Sequence, residues 1–197
     1  MAETVTNVSA ASPAKGGAIY RAPLGTSLPT TATETLSGSY VGLGYVSDDG
    51  VTNTNSPESE TIKAFGGQPV LSKQTSKEDT YKFKLIEVLN DNVLKAVYGD
   101  DNVTGALSTG LTVKANNDEA QEAVWIIDLA MRDGAAKRII LPDAKVSEIG
   151  DIVYKDDEAA GYELTLTAMP DADGQTHYEK IFKAPSGATG ATVTTGA

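Results

Sequence analysis

The 197-residue chain holds few groups able to do covalent chemistry. His177 is its only histidine and cysteine is absent, so composition excludes a multi-histidine metal site, a thiolate metal site, a cysteine nucleophile and any disulfide. No serine lies in a G-x-S-x-G elbow, and neither a G-x-x-x-x-G-K-[ST] phosphate loop nor a G-x-G-x-x-G fingerprint occurs. His177 stands beside Tyr178 in a predicted strand, where its simplest reading is an exposed or half-buried strand residue. Carboxylates are the remaining chemical feature, clustered at Asp48-Asp49-Gly50, Asp100-Asp101, Asp156-Asp157-Glu158 and Asp171-Ala172-Asp173-Gly174. The last opens like a calcium loop, but Gln175 replaces the next oxygen donor and no glutamate follows at the required spacing. Turn formation accounts for all four clusters, because tight turns select Asp and Gly. Paired carboxylates for glycoside hydrolysis would need an aromatic-lined cleft, and the lone tryptophan, Trp125, lies inside an apolar run that reads as core. No cofactor is expected.

The elements that must position these groups read as β. Tyr81, Phe83 and Leu85 alternate with Lys82 and Lys84, the period of a half-buried strand. Residues 123–131 and 135–141 flank Arg132-Asp133-Gly134, a hairpin signal because Asp and Gly accept positive φ. A second hairpin is expected to join residues 162–169 to 177–183 through the PDADG turn at 170–174, and residues 145–154 read as a strand interrupted at Gly150. One helix is expected, capped by Asn90 or Asp91, with Val93, Leu94, Val97 and Tyr98 on one face and Gly99 at its end. Residues 47–59, SDDGVTNTNSPES, contain one valine as their only apolar group and are predicted to form a long polar loop, a candidate contact arm. Residues 1–17 and 184–197 are Ala-, Ser-, Thr- and Gly-rich and are expected to be flexible arms flanking a single domain over residues 18–183.

The bulk charge excludes more than it identifies. With 27 acidic and 16 basic side chains the formal net charge is −11, the wrong balance for a protein that clamps nucleic acid by its phosphates. Residues 1–99 carry a net of −2 and residues 100–197 a net of −9, so the negative field belongs to the second half. The longest strongly apolar run, AVWII at 123–127, is far shorter than the roughly 18 to 20 residues of a membrane span, and residues 1–17 lack the basic start and apolar block of a secretory signal. The expectation is a protein made inside a cell, with no membrane anchor.

Six stretches, taken in order, carry a resemblance. They are GAIYRAPLGTSLPT at 17–30, SGSYVGLGYVSDDGV at 37–51, KAFGGQPV at 63–70, YKFKLIEV at 81–88, VYGDDNVTG at 97–105 and GYELTLTAMPDADG at 161–174. Together they resemble the major tail protein of long-tailed, non-contractile bacteriophages, the subunit of the tail tube. The resemblance implies a mainly β fold, a β-sandwich or barrel-like core with one flanking α-helix. It implies a structural, non-enzymatic virion protein, assembled in the bacterial cytoplasm into hexameric rings that stack into a tube for DNA ejection. Its partners would be further copies of itself, the tape measure, and the tail terminator and tip proteins, with DNA passing through unbound. Some family members carry an additional immunoglobulin-like domain outside the tube, which this sequence is not expected to have. Candidate inter-ring contacts are Asp48, Asp49, Gly50, Asn53 and Asn55; candidate channel-facing acids are Asp128, Glu163 and Glu179. The alternative is a capsid decoration or other virion β-sandwich protein, and a third class, a carbohydrate-active or calcium-dependent binding domain, rests only on β content and acidic turns.

Overall fold

Alternation of apolar and polar side chains lays down the strands that carry the core. In the computed structural model, which describes residues 5–14 and 17–184, the chain runs through β1 (Ala11–Pro13), β2 (Ile19–Pro23), β3 (Val41–Gly42), β4 (Val46–Lys63), β5 (Pro69–Leu85), α1 (Asp91–Tyr98), β6 (Val103–Ala106), β7 (Gly110–Val113), β8 (Ala123–Met131), β9 (Ala136–Ile149), β10 (Tyr162–Ala168) and β11 (Tyr178–Phe182). Every pairing is antiparallel. The main sheet runs β3-β2-β8-β9-β10-β5-β4, with β1 added along β8 and β11 along β9, while β6 and β7 form a small separate ribbon. Among the described residues the protein is therefore mainly β with one α-helix, as expected. No helix among the described residues is long and apolar enough to cross a membrane.

The two edge strands of the sheet, β3 and β4, are neighbours in the chain, so the segment between them draws the sheet toward closure. Leu43 N–H donates to Ile19 O on one side and Ile86 N–H donates to Tyr45 O on the other. Gly44 makes the turn at φ 72°. A methyl group there would collide with the Glu87 carboxylate, which accepts from Tyr45 N–H at 3.0 Å and from Asn90 Nδ2 at 2.9 Å. Asn90 in turn caps α1 by accepting from Asn92 N–H, and the helix ends at Gly99 with φ 94°. Val93, Leu94 and Val97 then face the sheet.

One face of the curled sheet buries Ile19, Phe83, Leu85, Trp125, Leu141 and Leu164 together with α1. Trp125 is core: it packs 6.2 Å from Phe83, and its indole N–H donates to Ala144 O at 3.2 Å. Strand β8 buries its other face as well, where Ala22, Tyr40, Val124 and Ile126 form a smaller cluster beneath residues 24–40. Tyr40 O–H anchors that cover by donating to Ser27 O at 2.9 Å.

Four local expectations differ from what forms. The two expected strands over residues 135–141 and 145–154 are one strand, β9, which passes through Pro142 and ends at Ile149, just before Gly150. The hairpin of residues 162–169 with 177–183 does not form. β10 pairs with residues 144–149 of β9 and β11 with residues 136–140, because the 14-residue β9 offers one edge long enough for both. Part of the expected N-terminal arm is strand: β2 covers only residues 123–127 of β8, leaving Leu129, Ala130 and Met131 to pair with β1. Backbone pairing needs no apolar side chain, which is why composition did not reveal it. Residues 185–197 of the expected C-terminal tail lie outside the described residues.

The fourth difference is the largest. Residues 47–59 are not a loop but most of β4, which pairs with β5 out to Lys63↔Pro69. Every residue from 52 to 78 is exposed, so the hairpin leaves the body as a bare two-stranded ribbon on the order of 35 Å long. Its ladder is held by the backbone and by cross-strand polar pairs such as Glu60↔Lys73, and by the Ser76 hydroxyl donating to Glu58 at 2.9 Å.

The closing turn generates a prediction. Gly44→Ala forces a side chain into positive φ and displaces the Glu87 carboxylate, and it should lower stability by about 2 kcal/mol. Urea unfolding followed by Trp125 fluorescence measures this directly; a change within error would remove Gly44 from the closure.

Candidate functional site at the hairpin root

Strand β5 changes character at one residue. From Pro69 to Glu78 it is exposed; from Asp79 onward it alternates into the core. Asp79 occupies the buried parity of the strand, in step with Tyr81, Phe83 and Leu85, and is 1 % exposed. A carboxylate so placed is costly unless its lone pairs are filled. Asn53 Nδ2 on β4 donates to it at 2.8 Å, Thr176 Oγ1 donates at 2.7 Å, and His177 Nδ1 lies 2.5 Å away. Asn53 also donates to Thr80 O at 3.1 Å, and the His177 ring meets Tyr81 edge-on at 5.8 Å.

The electrostatics follow from this geometry. Burial works to raise the Asp79 pKa, but the hydrogen bonds from Thr176, Asn53 and His177, with the charge of His177, outweigh it and hold the carboxyl below its ordinary 3.8. Burial pushes the Tyr81 phenol well above its ordinary range, helped by the negative charges of Asp79 and Glu179. At neutral pH the root is therefore an ionised carboxylate surrounded by donors from two other chain segments.

Of the candidate contact residues, Asn53 joins this root and Asn55 lies directly across from Asp79 in register. Asp48, Asp49 and Gly50 form a bulge lower on β4, where the register passes from Val46↔Leu85 to Val51↔Phe83. There Gly50 adopts φ 72° and the Ser47 hydroxyl donates to Asp49 at 3.2 Å. The three candidate acids do not come together. Asp128 is held by the Arg138 guanidinium at 2.6 and 2.7 Å, and Arg138, 4 % exposed, also donates to Thr31 O and Glu34 O under the cover segment. Glu163 pairs with Lys82 at 2.8 Å on the solvent face of β10 and β5, and Glu179 pairs with Lys137 at 2.6 Å between β11 and β9.

Sequence reading passed over Asp79 and took His177 for an ordinary strand residue. The signal for Asp79 was present: extending the Tyr81-Phe83-Leu85 alternation one step back puts a carboxylate on the buried face. Nothing in the sequence ties it to Thr176 and His177, which are nearly a hundred residues away. The PDADG turn uses its acid locally: Asp171 accepts from the N–H groups of Asp173 and Gln175 and from Tyr178 O–H. That bond to Asp171 is the first cause of a Tyr178 pKa pushed up to about 12. Among the described residues no group of three or more metal-ligating side chains converges. A cleft of about 470 Å³ beside the end of α1 is lined by Arg21, Asp100, Asn116, Glu119 and Gln121, with Arg21 already committed to Asp100 at 2.9 Å.

Compared with known proteins, the chain matches a sequence-family model described as phage tail tube protein over residues 4–192. No curated protein matches it significantly.

The depressed Asp79 carboxyl has a signed consequence. Its contribution to stability is complete above the unfolded pKa and is lost as pH falls through the lower folded value. Asp79→Asn should cost about 2 kcal/mol near neutral pH, where charged hydrogen bonds are lost, and should flatten the loss of stability below pH 3.8. Urea melts of both proteins across the acid range test this; parallel pH profiles would contradict it.

Proposed function

Because the chain belongs to the phage tail tube protein family, a family of structural virion proteins, we propose that it assembles as six-membered rings stacked into the tube through which DNA leaves the virion. The single observation that carries the stacking is the bare ribbon. A two-stranded hairpin with both faces in water is marginal by itself, and this one is long, polar along its shaft and apolar at its tip. Ile62, Phe65, Val70 and Leu71 are all at least half exposed there, Phe65 completely. Residues 61–77 also carry three lysines and no acid in a chain of net charge −11. An apolar, basic tip suits the acidic surface of a second copy, and the repeat of one such contact from ring to ring leaves the axis open for growth.

In this reading the contact arm is the whole β4–β5 ribbon. Asp48, Asp49, Gly50, Asn53 and Asn55 lie at its base, and the tip reaches the neighbouring ring. The terminal segments 1–17 and 184–197 add contacts to neighbours around the domain of residues 18–183. The channel is lined by the uncovered face of β9, β10, β5 and β4, where Glu163, Thr165, Thr167, Lys82 and Lys84 point away from the core. Its cations are spoken for: Lys82 pairs with Glu163, Lys84 with Glu158 and Lys145 with Glu119. A phosphate backbone then meets hydroxyls and neutralised charges, set in an acidic protein, and slides past without being held. The tape measure fills the bore during assembly in the host cytoplasm, and terminator and tip proteins close the ends.

Electron microscopy of the purified chain at high concentration tests the assembly, with hollow tubes or stacked six-membered rings expected. A persistent monomer would point instead to a capsid decoration protein. Phe65→Asp, placed where no core contact is lost, should leave a folded subunit whose tube-forming concentration rises at least tenfold. Tubes formed at the wild-type concentration would remove the tip from the contact.

A further inference from the structure

We infer that Asp79 is a positioning residue that sets the direction in which the β4–β5 ribbon leaves the body. Three observations converge on it. The ladder between β5 and β10 ends at Thr80↔Thr167, so Asp79 is the first residue of β5 without a body strand on that edge. Beyond it every ribbon residue out to the tip and back to Thr52 is exposed, so the ribbon gains no direction from packing. At that point a carboxylate with 1 % exposure collects Asn53 from the partner strand of the ribbon and Thr176 and His177 from the body segment leading into β11.

The chemistry calls for an acid. An ionised carboxylate is acceptor-only and can receive several donors, whereas an amide of the same shape would turn its own N–H groups toward them. The arrangement ties both strands of the ribbon to the body through one buried group. Leverage gives it consequence: a swing of about 10° at the root moves the tip by about 6 Å along a ribbon of this length. That displacement is enough to take Phe65 out of register with a partner surface. The groups facing Asp79 are Asn53 on β4, Tyr81 on β5, and Thr176 and His177 before β11, while the charge of Glu179 on β11 is felt by Tyr81.

The use of this direction for ring stacking rests on the tube reading; the direction itself does not. The test separates them. The chain has no cysteine, so Ser59→Cys on the ribbon and Ser108→Cys on the β6–β7 turn, both exposed, can be spin-labelled in the full-length subunit below its polymerising concentration. Pulsed electron resonance should give one narrow distance distribution in the otherwise unaltered protein and at least a twofold broader one with Asp79→Asn. Amide protection should fall further at the ribbon root than in β8 and β9, where only the loss of global stability is felt, and the tube-forming concentration should rise tenfold or more. Thr176→Val, which removes one donor and leaves the carboxylate, gives an intermediate width if Asp79→Asn fails to fold, and Thr176→Ser restores the narrow one. Unaltered distributions in both Asp79→Asn and Thr176→Val would overturn the proposal. So would equal loss of protection in ribbon and core, which would make Asp79 a general structural residue. An unlabelled protein that never polymerises would refute the tube reading and leave the distance measurement to decide the direction of the ribbon.

Discussion

Strand β5 must satisfy two environments along one continuous backbone, and the rest of the structure is arranged around the residue where it passes from one to the other. On the body side Tyr81, Phe83 and Leu85 enter the main core against Trp125 and the α1 face. On the far side ten residues of the same strand run in water with only β4 beside them. A side chain on the buried parity at the crossing point cannot be apolar without extending the core into the ribbon, nor charged without donors to hold it. Asp79 resolves the conflict because Asn53, Thr176 and His177 supply those donors. The burial of β10, the placement of β11 along β9 and the exit of the ribbon all meet there.

Charge is handled in a similar way across the sheet. Although the chain is strongly acidic, its exposed sheet face is a surface of paired ions and hydroxyls. Glu163 faces Lys82, and Ser147 and Thr167 share a hydrogen bond at 2.8 Å across β9 and β10. Exposed pairs of this kind contribute little to stability. In the proposed tube their effect would be on recognition, since a lysine already neutralised offers a polyanion little. The half-buried Asp128–Arg138 pair has a different purpose. Arg138 spends its remaining donors on the carbonyls of Thr31 and Glu34 and so pins the cover over the second face of β8.

The elements legible in the sequence were those whose side chains alternate or cap. The β8–β9 hairpin turns where expected, with Asp133 at φ 58° and Gly134 at φ 73°. The helix begins at Asn90 and stops at Gly99. Trp125 was readable as core because apolar residues surround it on both sides in sequence. The ribbon was not legible, because residues 47–59 have almost nothing to bury and strand pairing in water is a matter of backbone hydrogen bonds, to which composition is blind. The misassigned partner of β10 has a related cause: a turn sequence such as PDADG says that the chain reverses, but not that the returning strand will lie beside its predecessor. At the root, Asn53 was singled out for another reason, Asp79 was overlooked and His177 was read as ordinary.

By itself the sequence determined the chemical class. One histidine and no cysteine remove the multi-histidine and thiolate chemistries, and the order of six short stretches pointed to the tail tube family that the residue 4–192 match bears out. It also determined which strand faces are apolar, since that depends on alternation over a few neighbouring residues. Tertiary structure alone decided which strands are neighbours, how far the hairpin projects, and that residues 53, 79, 176 and 177 form one site. The physical reason is range. Periodicity and capping are local interactions encoded within a turn or a pleat, whereas a buried carboxylate draws its partners from wherever the folded chain can bring a donor to within hydrogen-bond distance.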